Sequence, residues 1–184
     1  MSRADRAERF LTAATLLGVA GGVSALTVQG IAIEAGVSKA LVLYHFDDKH
    51  ALLRALARRL AAADAAALRA ASATDDPFDA WLALGKDTVG AGCRALLNAL
   101  LLEPPVRAHV EEIREMRQRA ATELALAMLT AAELKPRVSA SLVGLMLLHQ
   151  LDGSSTSTDD GVEGETARQA SLDAFALALL ALGE

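Results

Sequence analysis

Alanine and leucine dominate this chain, with 40 Ala and 32 Leu among 184 residues. Both head the helix-propensity scale: Ala has no side-chain entropy to lose, and the unbranched Leu Cβ keeps its rotamers inside a helix. Aromatic residues make up only 3%. The composition therefore predicts an all-α protein whose cores are built from aliphatic side chains.

The same composition excludes several classes. With 53% hydrophobic residues the chain can bury enough surface to offset chain entropy, so it is not a disordered segment. Cys93 has no partner cysteine, which excludes a disulfide scaffold, and four histidines with one cysteine leave no tetrahedral zinc set. No nucleophile-base-acid spacing, phosphate loop or paired His/carboxylate metal motif is present, so neither an enzyme nor a cofactor or metal is expected. Ser154, Ser155 and Ser157 fall in a Ser/Thr/Asp/Gly-rich stretch, unsuited to a preorganised active site. No apolar run reaches the ~18–20 residues that span a bilayer. Arg3, Arg6 and Arg9 ahead of an apolar stretch imitate a signal peptide, but Asp5 and Glu8 lie among them and no convincing cleavage site follows. A lone thiol fits a reducing compartment, and a cytoplasmic protein is the expectation.

The net charge of −5 conceals an asymmetry. Residues 1–60 hold eight Lys/Arg against five Asp/Glu, and the remainder holds ten against eighteen. A polyanionic partner would therefore meet the N-terminal part.

Periodicity and breakers divide the chain into about nine helices. The first covers about 3–19, with Phe10, Ala13, Ala14 and Leu17 on one face, and stops at Gly21-Gly22. Thr27 and Ser38 stand as N-caps of two short helices joined at Glu34-Ala35-Gly36-Val37, with Ile31, Ala35, Val37 and Val42 spaced to form the core between them. This is a helix-turn-helix pattern. Longer helices are expected over 49–71, 78–89, 93–102, 106–133, 137–151 and 165–182. The breaks fall at Asp75-Asp76-Pro77, Gly90-Ala91-Gly92, Glu103-Pro104-Pro105, Lys135-Pro136 and the stretch 152–164.

Thr27-Val28-Gln29-Gly30-Ile31-Ala32, Ala35-Gly36-Val37-Ser38-Lys39, Tyr44-His45-Phe46-Asp47-Asp48-Lys49 and Leu52-Leu53 together resemble the signature of the TetR (tetracycline-repressor-like) family of transcriptional regulators. The resemblance is strong over about residues 6–56. Beyond that, the helix count and Leu151-Asp152-Gly153 resemble the family's variable ligand-binding domain. It implies a DNA-binding domain over 1–48 and a ligand-binding and dimerisation domain over 49–184. The implied function is a sequence-specific, ligand-released repressor acting as a homodimer on double-stranded operator DNA.

The candidate DNA-binding residues are Thr27, Gln29, Ser38, Lys39, Ala40, Leu41, Leu43, Tyr44, His45 and Lys49. A helix with Val42 inward turns Lys39, Ala40, Leu41, Leu43 and Tyr44 toward its exposed sides, where the major groove displays base edges. Thr27, Ser38, Tyr44, His45 and Lys49 suit phosphate contact, although caps and a structural histidine are the plainer readings of some. The family pattern usually has Tyr where this chain has Leu43, and a small or polar residue where it has Leu41. Lys39 is therefore the main hydrogen-bonding base reader, with Gln29 assisting. Those leucines also leave open a second reading, a dimeric helical adaptor or small-molecule-binding protein that has lost operator binding.

Residues 138–151 carry no formal charge, and a helix apolar nearly all round needs burial on more than one side. A four-helix bundle between two chains supplies it. Leu142, Leu145, Met146, Phe175, Leu179 and Leu182 are the candidate dimer core. An effector cavity is implied by the resemblance. Its candidate residues are Trp81, Thr88, Cys93, Asn98, Met116, Met146, His149 and Gln150, chosen as large, adaptable or polar side chains amid Ala and Leu. So few aromatics favour a small apolar effector over a stacked planar one.

Overall fold

The computed structural model describes residues 2–135, 138–155 and 170, with the side chains of Ser154 and Ser155 left aside. The described residues are helical, with no strand among them. The order is α1 (Arg3–Gly21), a 3₁₀ turn (Val23–Ala25), α2 (Val28–Glu34), α3 (Lys39–Phe46), α4 (Lys49–Ser72), α5 (Pro77–Lys86), α6 (Thr88–Leu101), α7 (Pro104–Arg107), α8 (Val110–Ala131) and α9 (Ala140–Ser155). The expected last helix, with Phe175, Leu179 and Leu182, lies outside the described residues.

Among the described residues two compact units emerge, one of residues up to Ala61 with Ala95–Ile113, the other of Ala62–Arg94 with those from Arg114 onward. These packing units differ from the expected division after residue 48, because α4, α6 and α8 each give residues to both. The reason for α4 is visible in the first unit. Its Arg59 guanidinium donates to Glu8 and to Thr12 and Thr15 of α1, tying residues 49–61 to the N-terminal helices.

Local chemistry sets the element boundaries. Ser2 and Asp5 form a reciprocal cap at the start of α1, and Gly22, at φ +68°, ends it in a conformation that side chains resist. Asp76 accepts from the amides of Phe78 and Asp79, with Pro77 pre-set for the first turn of α5.

The break expected at Gly90-Ala91-Gly92 falls instead at Asp87, and α6 runs through the glycines. Asp87 is extended, at ψ 101°, and its carboxylate accepts from the Val89 amide at 3.1 Å, restarting the helix. Gly90 leaves room for that carboxylate, which a Cβ there would strike. The helix expected over 106–133 is likewise divided, the short α7 ending in a turn in which the His109 amide donates to the Val106 carbonyl.

In the first unit, Phe10, Ala14, Leu26, Ile31, Val42, Leu52, Leu56 and Leu97 are buried. The second unit has a continuous, mainly aliphatic core from α4, α5, α8 and α9, in which Trp81 joins Leu68, Leu124, Leu147 and Leu151. There Gly144 lets α9 approach α8 closely, since a Cβ would come within 2.8 Å of the Ala121 backbone.

Candidate nucleic-acid interface

The turn between α2 and α3 is a hydrogen-bonded corner. The Ala35 amide donates to Ile31 at 2.9 Å, that of Gly36 to Ile33 at 3.0 Å and that of Val37 to Ala32 at 2.9 Å. Gly36 has φ +63°, the left-handed region that costs other residues about 1–2 kcal/mol. Thr27 Oγ1 accepts from the Gly30 amide at 2.9 Å, and Ser38 Oγ accepts from the Leu41 amide at 3.2 Å, so both act as the expected caps. A side chain at Gly30 would crowd Thr27 Oγ1, so the glycine spares the cap although it costs the helix propensity. Val42, 1% exposed, anchors α3.

With α3 held in this way, Lys39, Ala40 and Tyr44 are exposed, the last by 82%. Thr27, Gln29, Ser38 and Lys49 are also exposed, whereas Leu41 and Leu43 are half-buried. The chain leaves α3 through Asp47, at φ +61°, and Asp48 Oδ1 accepts from the Ala51 amide at 2.6 Å, setting Lys49 on the first turn of α4.

His45 is placed differently from its neighbours. Its ring meets Phe46 at 4.8 Å and Phe10 at 5.6 Å, both nearly perpendicular, and Phe10 also meets Phe46. Burial pushes its pKa below the ordinary histidine value, assisted by the charges of Arg3 and Arg6. The imidazole is a member of an aromatic corner, which holds the end of α3 against α1.

Arg3 and Arg6 were not among the residues expected to meet DNA. They line a cleft of about 250 Å³ with Leu41, Tyr44 and His45. A signal for them was present: residues 3, 6 and 10 continue one face of α1, and Phe10 is that face's anchor in the core.

The effector candidates are scattered. Trp81 is wholly buried, with Phe78 edge-on at 6.3 Å, and Met116 packs against the same core cluster. Cys93, Met146 and Gln150 are half-buried and Thr88 and His149 are exposed, while Asn98 belongs to the other unit. A buried ionic network in the second unit involves none of the candidate residues. Arg117 donates from Nε to Asp64 at 2.7 Å, and from Nη1 and Nη2 to Asp152 at 3.1 and 2.7 Å. Arg94 donates to the Leu84 carbonyl at 3.0 Å and lies 3.8 Å from Asp64. Burial opposes the Arg117 charge, but the hydrogen bonds and charges of Asp152 and Asp64 prevail and hold its pKa above the usual value. Polar residues spaced through alanine-rich helices gave no clear sign of this pairing.

Of the dimer candidates, Leu142 and Leu145 are 45% and 39% exposed on α9, and Met146 is half-buried. Among the described residues no group of His, Cys, Asp and Glu is placed to hold a metal, and no helix is long and apolar enough to cross a membrane.

A helix-turn-helix with an exposed second helix, in a chain whose second unit is also helical, is an arrangement suited to reading DNA. Residues 10–56 match the family model for bacterial regulatory proteins, tetR family. Solved structures extend the likeness in fold to nearly the whole chain. A putative TetR-family transcriptional regulator from Rhodococcus sp. superposes with TM-score 0.74 at 19% identity, covering 95% of this chain and 98% of that one. A TetR transcription regulator from Haloarcula marismortui gives 0.70 at 22%, covering 95% and 98%. The transcriptional regulator FadR from Bacillus subtilis, solved in complex with stearoyl-CoA, gives 0.67 at 14%, covering 90% and 95%. No curated protein matches. Over residues 10–56 the chain thus matches the tetR-family model, and over nearly its whole length it shares the fold of these regulators.

Proposed function

We propose that the protein is a ligand-released repressor that reads a paired operator as a homodimer. The observation that carries the DNA-reading part is the exposed α3, presented by a hydrogen-bonded turn with Lys39 at its first position. Lys39 reads base edges, with Gln29 assisting, Ala40, Leu41 and Leu43 offering only apolar contact to thymine methyls. Thr27, Ser38, Tyr44 and Lys49 hold phosphates, and His45 positions the helix.

The dimer reading draws on the exposed leucines of α9, whose apolar surface a second chain would cover. Two-fold symmetry suits half-sites about 34–36 Å apart. The effector reading is supported by the aliphatic interior of the second unit and by the continuity of α4 through both units. FadR shows a neighbour in fold with an acyl thioester bound, in keeping with an apolar effector here. By linkage, an effector that loosens DNA must itself bind the DNA-bound dimer more weakly.

The test is operator binding across sequence variants and salt. Lys39→Ala should flatten discrimination by about 1–3 kcal/mol, whereas Lys49→Ala should weaken all duplexes alike and lower the salt slope by about one. An unchanged ranking of operator variants with Lys39→Ala would remove Lys39 as the reader. Trp81 fluorescence should report a genuine effector, and operator DNA should shift its titration to higher concentration.

A further inference from the structure

The two sides of α1 differ in charge. Asp5, Glu8 and Arg9 border an open groove against α2 of about 590 Å³, together with Ile33 and Glu34, so that side mixes acids with one cation. Arg3 and Arg6 border the smaller cleft against α3. The acids are spoken for: Asp5 accepts from the Ser2 amide at 2.7 Å, and Glu8 accepts from Arg59 Nε at 2.8 Å. Arg58 and Arg59 are likewise neutralised, by Glu112 and Glu8. Arg3 and Arg6 stand apart from these, for neither makes an ion pair among the described residues.

We propose that the cleft between the first turns of α1 and the recognition helix seats a backbone phosphate of the operator, clamped by Arg3 and Arg6. This rests on the DNA-reading function proposed above and extends its footprint to a helix outside the helix-turn-helix. Guanidinium forks match a phosphate in geometry as well as charge. The cleft has room for one such group, and its far wall is Tyr44 and Leu41 of α3 itself, so a duplex against α3 passes its mouth. An exposed Tyr44 hydroxyl adds a neutral donor beside the two cations. His45 lines the cleft through its ring, packed edge-on against Phe10 and Phe46, and burial and the same two arginines push its pKa down. The arginine pair supplies the fixed positive charge of the cleft.

The experiment measures affinity of the full chain for a fluorescein-labelled duplex of mixed sequence, and for its selected operator, over a series of salt concentrations. Arg3→Gln with Arg6→Gln should lower the slope of log K against log salt by about two. Both duplexes should weaken by the same factor, and the ranking of operator variants should persist. Arg3→Lys with Arg6→Lys keeps the charge and should retain the slope. Unaltered thermal melting of the glutamine variant separates loss of contact from loss of fold. If the glutamine variant binds with the wild-type slope while Lys39→Ala still changes operator ranking, the phosphate clamp is wrong and the DNA-reading function stands. If the wild type binds no duplex at low salt, both fall together.

Discussion

Replacing Arg117 by Met tests the buried ionic network of the second unit. Arg117 is 5% exposed and donates three hydrogen bonds to two carboxylates. Met keeps much of the length and removes the charge. Asp64, whose side chain is 8% exposed, is then left with Arg94 at 3.8 Å, beyond hydrogen-bond reach. Removing one partner of a buried pair costs about 3–5 kcal/mol, since the remaining charge stays desolvated. The Asp152 side chain is 22% exposed and regains some water, which places the expected loss toward the lower end, about 3–4 kcal/mol. For a chain of this size that corresponds to a fall in Tm of about 6–15 °C. Arg117→Lys should lose less, because an ammonium keeps the charge but reaches the two carboxylates without the guanidinium's fork. Urea denaturation followed by circular dichroism gives both values. A stability within about 1 kcal/mol of wild type for Arg117→Met would refute the reasoning, showing that the carboxylates find water or other donors.

Three further outcomes are expected. Gly36→Ala should destabilise by about 1–2 kcal/mol, from the positive φ, with the new methyl also pressing on the Arg9 guanidinium 3.3 Å away; thermal melting checks it, and an unchanged Tm would mean the turn tolerates a side chain. Leu142→Glu or Leu145→Glu should shift sedimentation toward monomer if α9 lies in the dimer interface, and wild type sedimenting as a monomer at micromolar concentration would remove that interface. Because the folded pKa of His45 is depressed below the ordinary 6.5, the unfolded chain binds more protons between the two values. Its contribution to stability is therefore complete above 6.5 and lost as pH falls through the folded value; His45→Gln should flatten that part of the pH-stability profile, and an identical profile would dismiss the assignment.

The caps and corners of the DNA-reading segment were legible in the chain because each depends on a few neighbouring residues. Thr27 and Ser38 cap their own helices, Gly36 turns its own backbone, and Val42 faces inward by helical period alone. Asp76-Pro77 starts α5 for the same local reason. The break near Gly90 was harder, since propensity points to the glycines while the carboxylate of Asp87 caps the helix and Gly90 makes room for it. Only tertiary structure decided which residues distant in the chain would meet. Arg117 finds Asp64 and Asp152 across separations of 53 and 35 residues, pairings that no periodicity encodes. Phe10 reaches His45 and sets its ring into an aromatic corner, and the same face of α1 brings Arg3 and Arg6 beside α3. Helical propensity and capping act within one turn of chain, so the sequence by itself determined the elements; burial and charge pairing act through space, so only packing decided which side chains share the exposed face beside α3.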